Sequence, residues 1–261
     1  LSKALNYLSV LWKLLITRRD ARRRLYIVCE GRAGLPLTLI SILVSRMSGE
    51  PVFLHHHSFG YINQPSAVMR LINAALGQSG RHLFLSEGMA KAFFASYGPQ
   101  RAYEAAHNLA YIGPFWRAAR TTPRPRGDRP VRVGLLSNLS FTKGLDTFVQ
   151  LAMLTAEEGL EAEFRLAGPL EDAVELAYFR EAREHLGDRL QHAGPLYGEA
   201  KVRFYRDIDV FVFPTRYYHE AQPIVLHEAL AAGCAVISTD RGCIAEDLHA
   251  MGGFVVPRER A

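Results

Sequence analysis

Short apolar runs alternate with longer helical segments along almost the whole chain, and this alternation constrains the fold more than any other feature. The run "LYIVCEG" at 25–31, for example, is apolar until a glutamate and a glycine close it. Such a run is typical of a strand that is buried on both faces. The segment 35–47 then shows helical spacing. Strands that alternate with helices of this length predict an α/β fold with parallel sheets covered on both faces.

The same pattern divides the rest of the chain into strands and helices. The predicted strands are 25–31, 51–57, 82–86, 103–111, 131–137, 163–168, 189–194, 209–215, 235–239 and 253–257. The predicted helices are 2–19, 35–47, 65–78, 87–96, 144–158, 171–186, 198–206, 223–232 and 244–250. Ser86 stands where the helix 87–96 needs a capping side chain, and Gly98 stands where that helix ends.

The stretch "AARTTPRPRGDRP" at 118–130 interrupts this alternation. It is rich in proline and arginine and has no apolar period, so we interpret it as a linker. The alternation restarts after it. The sequence therefore predicts two doubly wound units, 1–117 and 131–261, on either side of the linker.

Composition narrows the class of partner. The chain of 261 residues carries a formal net charge of +5 and has a sequence pI near 9.2, which favours anionic partners such as nucleotides, phospholipids or nucleic acid. Aromatic residues are not interleaved with the basic ones, which argues against nucleic acid. Cys29, Cys234 and Cys243 are too few and too scattered for a disulfide framework or a zinc site, so a reducing compartment is expected.

The N-terminal segment combines an apolar helix with a basic cluster. Lys13 interrupts the apolar stretch, and no run in the chain reaches the length of a membrane-spanning helix. Arginines stand where a signal peptide has its cleavage site, so a signal peptide is not indicated. The cluster has two interpretations, a solvated helix end or a contact with an anionic lipid surface. Its members are Arg18, Arg19, Arg22, Arg23 and Arg24.

Two glutamates flank the start of one predicted helix, in "HEAQPIVLHEALAAGCAVIST" at 219–239. Pro223 suits the first turn of that helix, and Gly233 suits its C-terminal end. Glu220 therefore lies in the preceding loop, whereas Glu228 lies on the helix, roughly 7–8 Å beyond its start at 1.5 Å per residue. That distance is comparable to the length of a diphosphate, whose charge would face the helix N-terminus.

These positions suit a nucleotide sugar bound beyond the carboxyl ends of parallel strands. Glu220 would accept hydrogen bonds from a sugar at one end of the diphosphate, and Glu228 from ribose hydroxyls at the other. The alternative is that Glu220 caps the helix electrostatically and Glu228 is solvated. A glycosidase pair is not indicated, because such carboxyls flank a scissile bond from opposing sides, whereas these two come from one loop and helix.

The segment "DVFVFPTRYYHEAQPIVLHEALAAGCAVISTDRGCIAE" resembles the donor-site signature of GT-B retaining glycosyltransferases of family 4. Other stretches resemble further parts of that family in the same order. They are "PVFLHHHS" at 51–58, "LFLSEGMAKAFFASYG" at 83–98 with Asn108 after it, "SNLSFTKGLDTF" at 137–148, "RLAGPLED" at 165–172 and "HAGPLYGEAKVRFYRDIDVFV" at 192–212. The resemblance extends over nearly the whole chain and is most specific in 131–247.

The resemblance implies a GT-B fold, in which two doubly wound Rossmann-like domains with parallel sheets face a cleft. Residues 1–117 would belong to the acceptor-side N-terminal domain and 131–261 to the donor-binding C-terminal domain. Both are expected to be incomplete, because the family's Gly-rich first loop, first strands and closing helices have no counterpart here. The implied reaction is retaining transfer of a hexose-like sugar from a nucleoside diphosphate to an acceptor hydroxyl, in polysaccharide or glycolipid biosynthesis.

The resemblance also implies roles for individual residues. Lys143 would bind the donor phosphate, and His57 and Glu220 would orient the sugar as the other catalytic residues. His56 is the alternative to His57. No enzymic nucleophile is apparent, so a front-face mechanism is implied, in which the leaving phosphate helps to deprotonate the acceptor. The expected substrate-binding residues are Asn138, Gly168, Leu196, Ala221, Gln222, Pro223, Ile224 and Glu228.

Two positions depart from the family pattern, and no metal is expected. Asn138 stands where the family usually has an arginine, so phosphate binding would rest more on Lys143 and on backbone amides. Cys243 replaces the second of two paired glycines. The Asp-x-Asp at 207–209 opens an apolar strand, and the three consecutive histidines at 55–57 alternate between the faces of a strand. Neither therefore predicts a metal site, and no other cofactor is expected.

The expected partners are a nucleotide-sugar donor and a glycan or lipid-linked acceptor, without nucleic acid. The expected location is the cytoplasm, with peripheral contact to the inner face of the cell membrane through the basic N-terminal helix. Two other functions stay open: a non-catalytic nucleotide-sugar-binding GT-B module, and a nucleotide-sugar hydrolase or epimerase on the same fold. An NAD enzyme is not indicated, because no G-x-G-x-x-G follows a strand.

Overall fold

The computed structural model describes residues 2–16, 23–29, 31, 34–113 and 128–257. Helices and strands alternate through these ranges, as the sequence predicts. The helices are α1 (Ser2–Ile16), α2 (Leu35–Ser48), α3 (Gly60–Asn63), α4 (Ala67–Leu76), α5 (Glu87–Tyr97), α6 (Leu145–Glu157), α7 (Ala173–Leu186), α8 (Gly198–Asp207), α9 (Ile224–Ala231) and α10 (Ile244–Met251).

The strands lie within a few residues of their predicted bounds. They are β1 (Leu25–Cys29), β2 (Val52–His56), β3 (Arg81–Phe84), β4 (Tyr103–Ala105), β5 (Val131–Leu136), β6 (Ala162–Ala167), β7 (Leu190–His192), β8 (Val210–Phe213), β9 (Ala235–Thr239) and β10 (Phe254–Val256). The prediction of one long strand at 103–111 is wrong. β4 pairs only with the last residues of β3 and ends where that pairing ends, and a 3₁₀ turn at Asn108–Tyr111 follows.

The first sheet has four parallel strands in the order β1-β2-β3-β4. Its core is formed by fully buried side chains from the strands and the helices that cover them, including Leu54, Ile72, Phe84 and Phe93. Ser86 accepts a hydrogen bond from the backbone N–H of Met89, so the predicted N-cap of α5 is present. This cap fixes where the chain leaves β3.

The second sheet has six parallel strands in the order β10-β9-β8-β5-β6-β7. The chain runs outward from β5 through β6 to β7, then returns to β8 on the other side of β5 and continues to β9 and β10. The strand order therefore reverses between β5 and β8. Open α/β sheets bind ligands at such a reversal point, beyond the carboxyl ends of the strands.

The core of the second sheet is aromatic and aliphatic. Phe148 on α6 packs edge-on against Phe164 on β6, and Phe211 and Phe213 on β8 are also buried. Leu135 on the central strand β5 is fully buried. The predicted α/β class with two parallel sheets is confirmed. These packed strands provide the fixed base from which the loops at their carboxyl ends extend.

The chain forms two compact units, and each of them contains two separate segments of the sequence. The first comprises Leu1–His107 together with Tyr218–Gln222, and the second comprises Asn108–Tyr217 together with Pro223–Ala261. The sequence alone predicts that the segment 218–222 belongs to the second domain. The proposed domain ranges stay a prediction, because most of the predicted linker lies outside the described residues, as do Arg18, Arg19 and Arg22 of the basic cluster.

Cys29, Cys234 and Cys243 are buried and form no disulfide. None of the helices in the described part of the chain combines the length and the apolar character that a bilayer crossing requires.

Candidate functional site

The loops that follow β5, β6 and β7 in the second unit are tied together by backbone hydrogen bonds. The N–H of Leu139 donates to the carbonyl of Pro169 at 2.9 Å, and the N–H of Gly168 donates to the carbonyl of Gly194 at 2.8 Å. Gly168 has φ +122°, and a Cβ there would lie 1.7 Å from the carbonyl oxygen of Ser137. Only glycine fits this close approach, so the edge of the sheet presents bare backbone here.

Lys143 ends a 3₁₀ turn, Phe141–Lys143, that leads from β5 into α6. Ser140 caps this turn, because its hydroxyl accepts a hydrogen bond from the N–H of Lys143 at 3.2 Å. The next residue, Gly144, has φ +88°, and a Cβ there would lie 2.4 Å from the carbonyl oxygen of Pro214. The turn is therefore pressed against the end of β8, the strand beside β5.

The ammonium group of Lys143 lies beside two aromatic rings from the carboxyl end of β8. It is 4.3 Å from the centre of the Tyr217 ring and 5.8 Å from that of Phe213. An aromatic face attracts a cation at these distances, so the rings hold the lysine side chain near the reversal point of the strand order. The side chain is half-buried. This arrangement suits the binding of an anion.

Arg216 fastens the loop after β8 to the turn that carries Lys143. Its guanidinium donates to both carboxylate oxygens of Asp146 at 2.7 and 2.8 Å, to the hydroxyl of Thr147 at 2.7 Å and to the carbonyl of Phe141 at 2.7 Å. Its backbone N–H donates to the carbonyl of Thr142 at 2.8 Å. Sequence analysis missed Arg216, since its side-chain partners lie 69 to 75 positions away.

The helix α9 starts directly after Pro223, which occupies the N-cap position rather than the first turn. Proline has no N–H to donate, and the unpaired N–H groups of the following residues give this end of the helix a partial positive charge. Ile224 is the first helical residue. Because α9 follows β8, its N-terminus and the Lys143 turn follow the two strands between which the order reverses.

Glu228 is buried on α9 and has two partners on α8. Its side chain is 6% exposed, and one carboxylate oxygen lies 2.5 Å from the ammonium of Lys201. The hydroxyl of Tyr205 donates to the other oxygen at 3.1 Å. Burial, and then the nearby carboxylate, raise the pKa of Tyr205 well above its usual value, so this hydroxyl keeps its proton. Neither α8 residue was identified from the sequence.

Two other predicted residues lie at the loops after β5 and β7. Asn138 follows β5 and is exposed. Leu196 is half-buried and lines a cavity of about 220 Å³ between α8 and the edge of the sheet. The polar side chains of that cavity come from Arg165, Gln191, Arg203 and Asp207. Leu196 therefore contacts a real cavity, whereas Asn138 faces solvent.

The segment Tyr218–Gln222, which carries Glu220, is held by residues of the first unit. The amide of Asn63 donates to the carbonyl of Tyr218 at 2.9 Å, and the amide of Gln222 donates to the carbonyl of Leu85 at 3.2 Å. Glu220, Ala221 and Gln222 are all buried, and Glu220 is 8% exposed. These predicted site residues thus belong to the first unit with His57, not to the unit that contains Lys143 and Glu228.

His57 directly follows β2 and lies on the same side of the strand as His55. The ring nitrogens of the two histidines are 3.1 Å apart, and the Tyr26 hydroxyl lies 2.5 Å from the same nitrogen of His55. Burial, and then His57, lower the pKa of His55 to about 4, and burial also lowers the pKa of His57. His57 is therefore neutral near pH 7 and half-buried, and it is held by a second histidine.

His56 points to the opposite face and is enclosed by protein. Its two ring nitrogens lie 2.9 Å from the hydroxyl of Tyr61 and 2.9 Å from a nitrogen of His82. The other nitrogen of His82 lies 3.1 Å from the side-chain oxygen of Asn73. His56 is completely buried, and this burial lowers its pKa well below the usual value. The alternative of His56 as the sugar-facing histidine is therefore wrong.

Asp209, the second aspartate of the Asp-x-Asp at 207–209, has a structural role. The guanidinium of Arg129 donates to both carboxylate oxygens of Asp209 at 2.8 and 2.7 Å, and the N–H of Arg132 donates to one of them at 2.9 Å. Within the described ranges, no group of three or more histidine, cysteine or acidic side chains is arranged to hold a metal ion. The absence of a metal from the reaction stays a prediction.

Solved structures share this architecture. The Anabaena protein HepE in complex with UDP matches with a TM-score of 0.71 and 16% identity, over 97% of this chain and 68% of that one. The lipopolysaccharide outer core galactosyltransferase WaaB in its apo form matches with a TM-score of 0.62 and 18% identity, over 94% and 63%. Sucrose-phosphate synthase from Thermosynechococcus elongatus matches with a TM-score of 0.60 and 20% identity, over 85% and 59%.

At these identities the likeness shows the fold alone, and the GT-B fold expected from the sequence is confirmed. The chain spans about 59 to 68% of the lengths of these three structures. No curated protein sequence matches the chain significantly.

A protein-family model matches residues 130–261, slightly more than half of the chain. The matched range contains β5 to β10 and includes Lys143, the helix α9 and both glutamates. The family is described as glycosyl transferases group 1. The chain belongs to the family of glycosyl transferases group 1.

Proposed function

We propose that the protein transfers a sugar, with retention, from a nucleoside diphosphate sugar to an acceptor hydroxyl. One observation carries the proposal: Lys143 and the N-terminus of α9 follow β5 and β8, the two strands between which the order of the sheet reverses. A cation and a helix N-terminus at this position suit a diphosphate. The family membership supports the same class of reaction.

The chemistry would consist mainly of stabilising the departing diphosphate. Negative charge grows on the leaving oxygen as the bond to the sugar breaks, and a fixed cation and fixed N–H groups stabilise that charge without reorganisation. Lys143 supplies the cation, held by the Tyr217 ring and by its capped turn. The leaving phosphate would then accept the proton of the acceptor hydroxyl on the same face.

The remaining residues would bind the two ends of the donor. His57 and Glu220 would orient the sugar, and the neutral ring of His57 suits a hydroxyl better than a charged group does. Glu228 would bind the ribose. The other proposed donor contacts are Asn138, Gly168, Leu196, Ala221, Gln222, Pro223 and Ile224, and bare backbone at Gly168 allows close approach. No metal is part of this proposal, since Lys143 and α9 supply the positive charge.

UDP-sugars are the first donors to test. The similar protein HepE was solved with UDP and with UDP-glucose, which makes these the natural probes. The acceptor would be a growing glycan or a lipid-linked glycan, in polysaccharide or glycolipid synthesis on the cytoplasmic side of the membrane.

An anionic lipid surface is a second proposed partner. The exposed side chains of Leu8, Trp12, Leu15 and Ile16 recur on α1 at a spacing that places them along one stripe. Lys13 lies on the same helix, and the arginine cluster follows in the sequence. An apolar stripe beside basic residues suits adsorption to an anionic bilayer. Flotation with vesicles of neutral or anionic lipid tests this, and equal recovery with both would contradict it.

The alternative function is a nucleotide-sugar-binding module without turnover. The observation that favours it is the exposed Asn138, which leaves the loop after β5 without the arginine seen in the family pattern. A thermal-shift screen with UDP-, GDP- and ADP-sugars identifies the donor. Nucleotide release from that donor, with and without acceptor glycans, then decides between the functions. A transferase releases nucleotide only with acceptor, a hydrolase releases it without acceptor, and a binding module releases none.

A further inference from the structure

Lys201 and Glu228 form an ion pair whose two members differ in exposure. The lysine side chain is 24% exposed, whereas the glutamate side chain is 6% exposed. Lys201 and Tyr205 lie one helical turn apart on α8, so they approach the carboxylate from the same helix face. We infer that Lys201 determines specificity for a ribonucleotide, by donating a hydrogen bond to the same ribose diol that Glu228 accepts from. This inference rests on the proposed nucleotide-sugar function.

The chemistry of a hydroxyl group requires two kinds of partner. A ribose hydroxyl donates one hydrogen bond and accepts others, whereas an ionised carboxylate only accepts and an ammonium only donates. Glu228 alone satisfies the hydrogen of the diol. The bond from Lys201 to Glu228 uses one of the three N–H groups of the ammonium, and 24% of the lysine side chain is exposed. Together the pair satisfies both the hydrogen and the oxygen of a hydroxyl.

Electrostatics also favours a role for Lys201 in ligand binding. Glu228 lies four residues beyond the first residue of α9, about 6 Å along the helix at 1.5 Å per residue. A buried carboxylate without a countercharge would repel a diphosphate bound at that helix start. Lys201 supplies that countercharge, so the same glutamate can accept from a ribose without weakening the phosphate site.

Stability alone does not account for Lys201. The cost of removing two charges from water offsets most of their attraction, so a buried ion pair contributes little net stability compared with apolar side chains of the same size. Tyr205 already donates to the carboxylate. The same helix carries a pair of the ordinary solvated kind, Arg203 with Glu199, whose side chains are 67% and 75% exposed. Arg206, an exposed arginine of α8 that does not line the cavity beside Leu196, provides a matched control for the loss of one positive charge from α8.

The experiment measures binding by calorimetry for the wild type, Lys201→Met and Arg206→Met. The ligands are UDP, ADP and GDP, followed by the 2′-deoxy and 3′-deoxy forms of the tightest. The wild type should prefer the ribonucleotide over at least one deoxy form by about 10- to 100-fold, the size of one charge-assisted hydrogen bond. Lys201→Met should reduce that preference at least fivefold, and Arg206→Met should keep it.

The outcomes separate the two proposals. Absence of binding by all three ribonucleotides to the wild type would overturn the proposed function itself. Binding by the wild type, with the same preference in Lys201→Met for both deoxy forms, would overturn only the role of Lys201. If Lys201→Met does not fold because Glu228 loses its countercharge, Lys201→Gln keeps a donor toward Glu228 without the charge, and its preference should fall as well. An unchanged preference in that variant would count equally against the inference.

Discussion

Glu220 and Glu228 stand eight positions apart in one short stretch, yet they belong to different compact units. Glu220 lies in a segment that hydrogen-bonds to the first unit through neutral amide and carbonyl groups, as with Asn63 and Gln222. Glu228 lies on α9 in the second unit and is held by a lysine and a phenol. The difference shows that closeness in sequence does not give two residues a common environment or common supporting partners.

This contrast has a consequence for the proposed reaction. Residues that hold the segment around Glu220 lie on α3 and directly after β3, so changes there should affect the sugar end of the donor. Residues that support Glu228 lie on α8, so changes there should affect the nucleotide end. The two units also differ in their ionisable groups, since the cluster of histidines with lowered pKa values lies in the first.

The largest expected effect is the loss of turnover when Lys143, in the second unit, is replaced. Lys143→Ala should lower kcat about 100- to 1000-fold, equivalent to about 3–4 kcal/mol, because leaving-group charge is greatest in the transition state. KM should rise by much less. Steady-state kinetics with the identified donor measures both values. Lys91→Ala removes an exposed lysine from α5 and serves as the control. Unchanged turnover in Lys143→Ala would remove this lysine from the mechanism.

The next effect is a difference in acid sensitivity between the units. Burial, and then the charge of Arg101, lower the pKa of His82 to about 4, against an ordinary value of 6.5. Between these values the unfolded chain binds a proton that the folded unit does not, so stability falls as the pH falls. A shift of this size corresponds to about 3 kcal/mol lost between pH 6.5 and pH 4. His55 and His56 shift in the same direction.

Native-state hydrogen exchange compares the two units directly. Between pH 7 and pH 5, after correction for the intrinsic exchange rate, amides of β2 and β3 should lose more protection than those of β5 and β6. Most carboxylates keep their charge in this range, so the histidines dominate the difference. Equal losses in both sheets would show that the histidine cluster does not distinguish the units.

Whether a feature of the fold or site can be predicted from the sequence depends on how far apart in the sequence the interacting residues lie. The bounds of β5 and the cap Ser86 depend on neighbouring residues, and the sequence predicts both. Lys201 lies 27 positions from Glu228, His82 lies 26 positions from His56, and Asp146 lies 70 positions from Arg216. No local pattern encodes such pairs, because they depend on how packed helices and strands meet.

The same reason explains the segment 218–222. Its position in the sequence places it between β8 and α9, and a reading of secondary structure alone assigns it to their unit. Its hydrogen bonds, however, go to Asn63 and Leu85, more than a hundred positions earlier. The resemblance to a family identified Glu220 as a site residue but did not identify the residues that hold its loop.

The two glutamates should respond differently to the same substitution. Glu228→Gln would remove the charged partner proposed for the unreactive ribose, so it should weaken nucleoside diphosphate and intact donor alike, by about 1.5–3 kcal/mol. Glu220→Gln should leave nucleoside diphosphate affinity nearly intact. It should reduce turnover of the donor by a factor that corresponds to a similar free energy. Calorimetry with both ligands, together with kinetics, measures these losses.

Two results would contradict the assignment of Glu220 and Glu228 to separate ends of the donor. Equal losses for both ligands at both positions would mean that the glutamates do not act at separate ends of the donor. Normal binding with slightly lower stability in both variants would instead support the interpretation of Glu220 as a helix cap. Tyr205→Phe provides a control, because it removes a neutral donor from Glu228 and should lower nucleotide affinity less than Glu228→Gln does.

The smallest expected effect is that of removing Arg216, whose hydrogen bonds fasten the loop after β8 to the turn that carries Lys143. We call the ion pair between Arg216 and Asp146 the clasp. The clasp is largely solvated, at 44% and 27% exposure, so Arg216→Met should change the free energy of unfolding by no more than about 1 kcal/mol. Turnover should fall about threefold to tenfold, because the lysine is held less well. Arg216→Lys should not restore it, since lysine lacks the two-pronged geometry.

A comparison of double variants shows whether the clasp acts only within the second unit. Arg216→Met and Asp146→Asn break the same contact, so their combined effect on kcat should not exceed that of either alone. Arg216→Met and Glu220→Gln act through different units, so their effects should multiply. Arg180→Met, which removes an exposed arginine from α7, should leave kcat unchanged. If the losses from Arg216→Met and Asp146→Asn multiplied instead, the two residues would not act as one clasp on Lys143.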